Sequence, residues 1–230
     1  MKNEVINKYK INAFISKQDF LREIVNEKKI LVAMNAEKIT KNSKELREIV
    51  NKNIGYPDGI GAVIALKHKG LESIKIAGSE FWLDIVASFS SIKRFYLIGS
   101  TSNVIESTVQ RLKKDFPDID IVGYRDGFFK DGDKEILIQE LQDKKPDIIF
   151  IAQGSPRQEF LMNELIKEYP ALYMGLGGSF DIYGGDKRRA PLLFLRWNLE
   201  WFYRLLKEPT RFKRQVALIK FMFLLNSRSK

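Results

Sequence analysis

The sequence predicts an α/β protein: a Rossmann-like parallel sheet with helices on both faces, followed by a helical, basic C-terminal appendage. Three observations carry that prediction. Short apolar runs recur along the chain, and most are followed within a few residues by an amphipathic stretch. Most of those runs are continuous rather than alternating, the pattern of strands covered on both faces, as in a parallel sheet between helix layers. Finally, charge divides the chain in two. Residues 187–230 hold 12 Lys and Arg against 2 Glu, whereas residues 1–186 hold 27 basic and 27 acidic side chains. A neutral body (1–186) and a basic, aromatic appendage (187–230) are therefore read separately.

The first clear run is Ile30–Met34, entered from Lys28-Lys29 and ending at Asn35. Later runs are Ile74–Ala77, Phe95–Ile98, Ile119–Val122, Ile148–Ile151 and Leu172–Met174. Polar and glycine residues follow them: Asn35, Gly78-Ser79, Gly99-Ser100, Gly123, Gln153–Pro156 and Gly175–Ser179. One glycine after a strand makes a tight turn. Six strand ends behaving alike, several with Asn, Gln or Ser, form a binding rim, because open α/β sheets collect ligands beyond their carboxyl ends. In the appendage, Pro191–Leu206 reads as an aromatic-rich helix and Arg211–Leu225 as a second helical stretch with basic and aromatic residues interleaved.

Composition excludes several chemistries. There is no cysteine, so disulfides and thiolate metal sites are out, and the single histidine, His68, leaves little for a zinc site or a Ser-His-Asp triad. Carboxylates, amides, hydroxyls, arginines and backbone groups must do the work. The polar opening Met1–Val5 lacks the apolar stretch of a signal peptide. No segment approaches the roughly 18 apolar residues of a bilayer span. A cytoplasmic protein, soluble or peripheral, is expected.

Four constellations stand out. Asn35-Ala36-Glu37-Lys38 follows a strand, and Asn35 either presents its amide to a ligand or caps the helix beginning near Glu37. In Tyr56-Pro57-Asp58-Gly59, proline and glycine fix the backbone around a carboxylate. Asp58 is placed either to accept a proton from a substrate hydroxyl or to cap the apolar helix Ile60–Leu66. In Gln153-Gly154-Ser155-Pro156-Arg157-Gln158-Glu159, a strand leads into a helix start whose free N–H groups, with Arg157, suit an anion; Ser155 as N-cap is the purely structural alternative. The last, Gly175–Asp181 continuing to Gly184-Gly185-Asp186-Lys187-Arg188-Arg189-Ala190-Pro191, permits close approach of a ligand or simply makes turns. Neither a P-loop nor a Gly-x-Gly-x-x-Gly dinucleotide fingerprint is present.

In this order the strings resemble the WecG/TagA/CpsF glycosyltransferases (glycosyltransferase family 26), from about Ile30 to the C-terminus. The most specific matches are Tyr56–Gly59, Gly154–Glu159, Gly175–Asp181 and Lys187–Pro191, continuing through Leu199–Leu206 and Pro209–Arg211. The resemblance implies inverting, metal-independent transfer from a UDP-sugar, with no cofactor. It implies an undecaprenyl-diphosphate-linked N-acetylglucosamine acceptor, Asp58 as the base and Gln158 at the active site. Asn35, Gly59, Gly99, Gly123, Asp126, Gly154, Pro156, Arg157, Glu159, Gly178 and Asp181 are the expected substrate-binding positions. Arg204, Arg211 and Arg214 match tail arginines that close over the site and hold diphosphate.

Ala33 stands where teichoic-acid members carry threonine. Together with Val32–Lys38, Ala171–Gly175 and the tail, this leans the donor toward N-acetylmannosaminuronate, as in enterobacterial-common-antigen synthesis, with N-acetylmannosamine or a capsule-type hexose as alternatives. A uronate needs a cation, for which Lys38, Arg125 and Arg157 are candidates. The basic tail suits the anionic inner face of the cytoplasmic membrane, with Trp197, Trp201, Phe221 and Phe223 either at headgroup level or packed on the body. Family members also associate through the body as homo-oligomers. A nucleic-acid-binding module is the runner-up from another class, on the tail's basic and aromatic character, but it leaves the rim and Asp58 without a role.

Overall fold

The computed structural model describes residues 1–185 and Phe221. Six parallel strands form the central sheet: β3 (Ile30–Met34), β4 (Ile54–Pro57), β5 (Arg94–Gly99), β6 (Asp120–Arg125), β7 (Ile148–Ala152) and β8 (Leu172–Gly175), in the order β4-β3-β8-β7-β5-β6. An antiparallel hairpin, β1 (Lys2–Ile6) and β2 (Tyr9–Ala13), precedes them. The parallel sheet expected from the continuous apolar runs is present.

Each inner strand feeds both faces of the sheet. In β7, Ile148 and Phe150 enter one core while Ile149 and Ile151 enter the other, all fully or almost fully buried. One layer contains α1 (Lys17–Ile24), α5 (Gly78–Phe89), α6 (Ser102–Asp115) and α9 (Ser179–Tyr183), packed through Phe20, Phe81, Trp82, Val109 and Phe180. The other contains α2 (Ala36–Thr40), α3 (Lys44–Lys52), α4 (Ile60–His68), α7 (Asp133–Lys144) and α8 (Arg157–Glu168), packed through Ile39, Ile49, Leu66, Leu141 and Met162. The chain thus leaves β5 and β8 toward one face and β7, which lies between them, toward the other. Such a reversal opens a crevice at the carboxyl ends of the strands.

Two strand assignments differ from the sequence expectation. Ile74–Ala77 forms no ladder: Ile74 N–H donates to Phe14 O (2.8 Å) and Ile76 N–H to Pro57 O (2.8 Å), two separate partners. The second parallel strand is instead Ile54–Pro57, so Asp58 follows a strand directly. The N-terminal hairpin was unexpected; its turn residues Asn7 and Lys8 have φ of 49° and 71°, the left-handed pair that a two-residue hairpin requires.

Phe221 lies in a helix, fully buried in the core beside α2 and α4, its ring against Gly61. A place at lipid headgroup level is therefore corrected to packing for this residue. Its ring fills the space where a Gly61 side chain would stand (3.1 Å). Arg204, Arg211, Arg214, Trp197, Trp201 and Phe223 lie outside the described residues. No helix among the described residues is long and apolar enough to cross a membrane.

Candidate active site

The carboxyl ends of β3 and β4 bring the first two constellations together. Met34 and Pro57 are paired in the ladder, and Asp58 N–H continues it to Met34 O (3.0 Å). Asn35 therefore stands beside Asp58 and Gly59; a side chain on Gly59 would meet Asn35 Cβ at 3.3 Å. Asn35 does cap α2, its oxygen accepting from Lys38 N–H (3.0 Å), and its amide NH2 donates to no group among the described residues. Asp58 does not cap α4. That position is Gly59, whose helix start has no side-chain cap. The Asp58 carboxylate turns instead to the N-terminus of α5, where Oδ1 accepts from Gly78 N–H (2.7 Å). A helix N-terminus favours negative charge, and the half-buried carboxylate is held in one orientation beside Asn35.

Beneath it lies a buried polar cluster. The Tyr56 hydroxyl reaches within 2.6 Å of where a Gly78 Cβ would be, and it has no hydrogen-bond partner among the described residues. Burial pushes this phenol well above its usual range, and the charges of Asp58 and Glu159 push it further. Lys38 Nζ donates to Glu159 Oε1 (2.5 Å) and to Ala33 O (2.9 Å), with both charged side chains buried. Two proposed cation roles are thereby revised: Lys38 is committed to Glu159, and Arg125 is paired with Asp133 (2.9 Å) and stacked over Phe129. Arg157 is exposed and has no ion-pair partner among the described residues.

Gln158 and Glu159 both face inward. Gln158 Oε1 accepts from Gly177 N–H (2.9 Å) and Gly154 N–H (3.2 Å), clamping the loops after β8 and β7 together. Its Nε2 passes so close over Gly175 that an added Cβ would stand 2.3 Å away; only glycine fits there. Gly154 and Gly177 have φ of 79° and 60°, the left-handed conformation that glycine adopts freely. Glu159 is fully buried, so it supports the rim rather than lining it. Pro156 precedes α8 by one residue, and Ser155 makes no capping bond.

The other half of the rim is polar and half-exposed. Ser100 Oγ donates to Asp181 Oδ1 (2.5 Å), Ser102 Oγ to Asp126 Oδ2 (2.9 Å), and Gln153 Nε2 to Gly127 O (2.7 Å). Gly99 and Gly178 flank these groups, with Gly99 pressed on the end of β7 at Ala152. Gly123 does not belong to the rim. β6 continues past it to Arg125, and the Tyr96 ring occupies the space a Gly123 side chain would need (2.4 Å). Ser100 and Gln153 stand at the strand ends from which a binding rim was expected, whereas Ser102, at the start of the following helix, was not singled out. His68, with no expected role, is exposed at the end of α4.

A carboxylate at a strand end, an exposed arginine at a helix start and a polar crevice are groups of the kind that group transfer from a phosphorylated donor uses. In sequence comparison, residues 6–230 match the family described as "Glycosyl transferase WecG/TagA/CpsF family". The chain is also 39% identical over 170 residues to an N-acetylglucosaminyldiphosphoundecaprenol N-acetyl-beta-D-mannosaminyltransferase of Bacillus spizizenii strain W23. That alignment covers 72% of this chain and 65% of the relative's length. With a family match that spans the body and the basic tail alike, the chain belongs to the WecG/TagA/CpsF glycosyltransferase family.

Proposed function

We propose that this protein transfers N-acetylmannosamine from a UDP donor to a polyprenyl-diphosphate-linked N-acetylglucosamine, with inversion and without a metal. The observation that carries the proposal is Asp58, oriented by the N-terminus of α5 at the carboxyl edge of the sheet, in a chain of this family. Asp58 accepts the proton of an acceptor hydroxyl as that oxygen attacks the anomeric carbon; the bond to UDP breaks and the diphosphate leaves. A positioned base of this kind contributes ~10²–10⁴-fold. Arg157, backbone N–H groups and the tail arginines Arg204, Arg211 and Arg214 meet the departing charge, since guanidinium groups hold phosphate oxygens bidentately. Asn35, Asp126 and Asp181 hold the donor; Gln158 and Glu159 hold the loops that do so.

The neutral sugar is favoured over its uronate on two grounds. The relative's name specifies an N-acetylmannosaminyl group. Of the three cations considered for a sugar carboxylate, Lys38 and Arg125 are committed to Glu159 and Asp133. The basic tail supports a position on the inner face of the membrane that carries the acceptor. Incubation with a panel of UDP-sugars and a GlcNAc-diphospholipid, in parallel with EDTA and with added Mg2+, tests these points together. The expected product mass is one N-acetylhexosamine above the acceptor. A product one hexuronate heavier overturns the donor, loss of turnover in EDTA overturns metal independence, and no product from any donor overturns the activity.

A further inference from the structure

Six groups, three of them at strand ends, form one connected chain of hydrogen bonds. Lys38 Nζ holds Ala33 O at the end of β3 and Glu159 Oε1 in α8; Gln158 Nε2 also approaches Glu159 Oε1 (3.4 Å); Gln158 Oε1 then holds Gly154 N–H after β7 and Gly177 N–H after β8. Lys38 also supplies the backbone N–H that fixes Asn35. The pair is thus the link between Asn35 beside Asp58 and the two glycine loops across the crevice. The side chains of Lys38 and Glu159 are 8% and 0% exposed. Glu159 is shut off from solvent and Lys38 nearly so, with its ammonium turned to Glu159 and Ala33 O, so both serve as frame rather than as direct ligands of a sugar nucleotide.

The pair is also poorly suited to a purely stabilising role. Removing two charges from water is costly, and a buried ion pair is often replaceable by apolar residues with no loss of stability. Glu159 is only half satisfied, its Oε2 buried without a partner among the described residues, and the equally unpartnered Tyr56 hydroxyl senses its charge. A costly, incompletely paired carboxylate at the centre of a site points to registration rather than to fold maintenance.

We propose that Lys38 and Glu159 are positioning residues that set the register between the Asp58–Asn35 edge and the Gly154 and Gly177 loops. The proposal rests on the transferase reading for its kinetic consequence, but its structural consequence stands apart from it. Single variants such as Lys38→Met leave Glu159 uncompensated and are expected to fold poorly, so the decisive protein is the apolar double variant Lys38→Met/Glu159→Leu. Its melting temperature should return to that of the wild type or above. Hydrogen exchange at Gly154 and Gly177 should nevertheless stay at least tenfold faster than in the wild type, while β5 and β7 remain protected. With UDP-N-acetylmannosamine and the GlcNAc-diphospholipid, kcat should stay at least tenfold down and donor KM should change less than threefold. Recovery of both exchange protection and kcat along with stability would overturn the proposal. Should the wild type itself turn over no UDP-sugar, the activity reading fails, and the exchange result still decides the register.

Discussion

The two halves of the sheet's carboxyl edge are built on different principles. Around β3, β4 and α8 the polar groups are mostly buried and include an ion pair: Lys38 with Glu159, Tyr56 near the half-buried Asp58, and Gln158 locked between two loops. Around β5, β6 and α9 they are half-exposed hydroxyl–carboxylate pairs, Ser100 with Asp181 and Ser102 with Asp126. Charges act most strongly where water is excluded, so the first half suits the step in which a proton moves. Exposed hydroxyls and carboxylates exchange readily between water and a ligand, so the second half suits binding. On the proposed reading, donor and acceptor meet in the crevice between them.

The sharpest way to break this contrast is one substitution in each half. Asp58→Asn keeps the shape and the Gly78 contact but removes the base, and kcat should fall by ~10²–10⁴-fold with donor affinity little changed. Asp126→Ala removes the acceptor of the Ser102 and Phe128 bonds, and should weaken donor affinity by ~3–10-fold with a smaller effect on kcat. Equal effects on kcat, measured by steady-state kinetics with UDP binding in parallel, would erase the division.

Phe221 joins the appendage to the dry half, fully buried against Gly61 three residues beyond Asp58. Truncating a buried Phe typically costs ~3–5 kcal/mol, so Phe221→Ala should lower the melting temperature clearly. An unchanged melting curve would mean that the ring's burial contributes nothing to the fold and that the tail is not anchored beside the base.

The smallest effect belongs to the wet half. The Lys130 N–H and the Arg125 guanidinium hold Asp133 below the ordinary carboxylate value. A carboxylate with a depressed folded pKa stabilises the fold above its unfolded pKa and loses that contribution as pH falls through the folded value. The loop from Asp126 to Asp133 should therefore keep a constant protection factor, relative to the intrinsic exchange rate at each pH, near neutrality and lose protection only below roughly pH 4. Asp133→Asn should remove that acid-dependent step. A step persisting in the variant would assign it to another group.

Legibility in the sequence followed the nature of each signal. Runs such as Ile148–Ile151 were readable because burial on both faces demands unbroken apolarity. Ile54–Pro57 was not, since Gly55 and Pro57 resemble a turn locally and only pairing with β3 makes them a strand. Ile74–Ala77 has the composition of a strand, but its hydrogen bonds go to separate partners. The hairpin turn at Asn7-Lys8 lacks the glycine that usually announces one. Among site residues, Asn35, Asp58 and the Gly-rich loops stood at readable strand ends. Gly123 looked equivalent, yet packing against Tyr96 assigns it to the core.

By itself, the sequence determined the α/β class, the division between a neutral body and a basic tail, and Asp58 within a family motif, because these depend on local composition and order. The tertiary structure alone decided which charges are free. Lys38 and Glu159 are 121 positions apart, and nothing local says that each spends its charge on the other. Desolvation and pairing are properties of the folded neighbourhood, and they move Lys38 from the list of sugar-binding cations into the frame that holds the site.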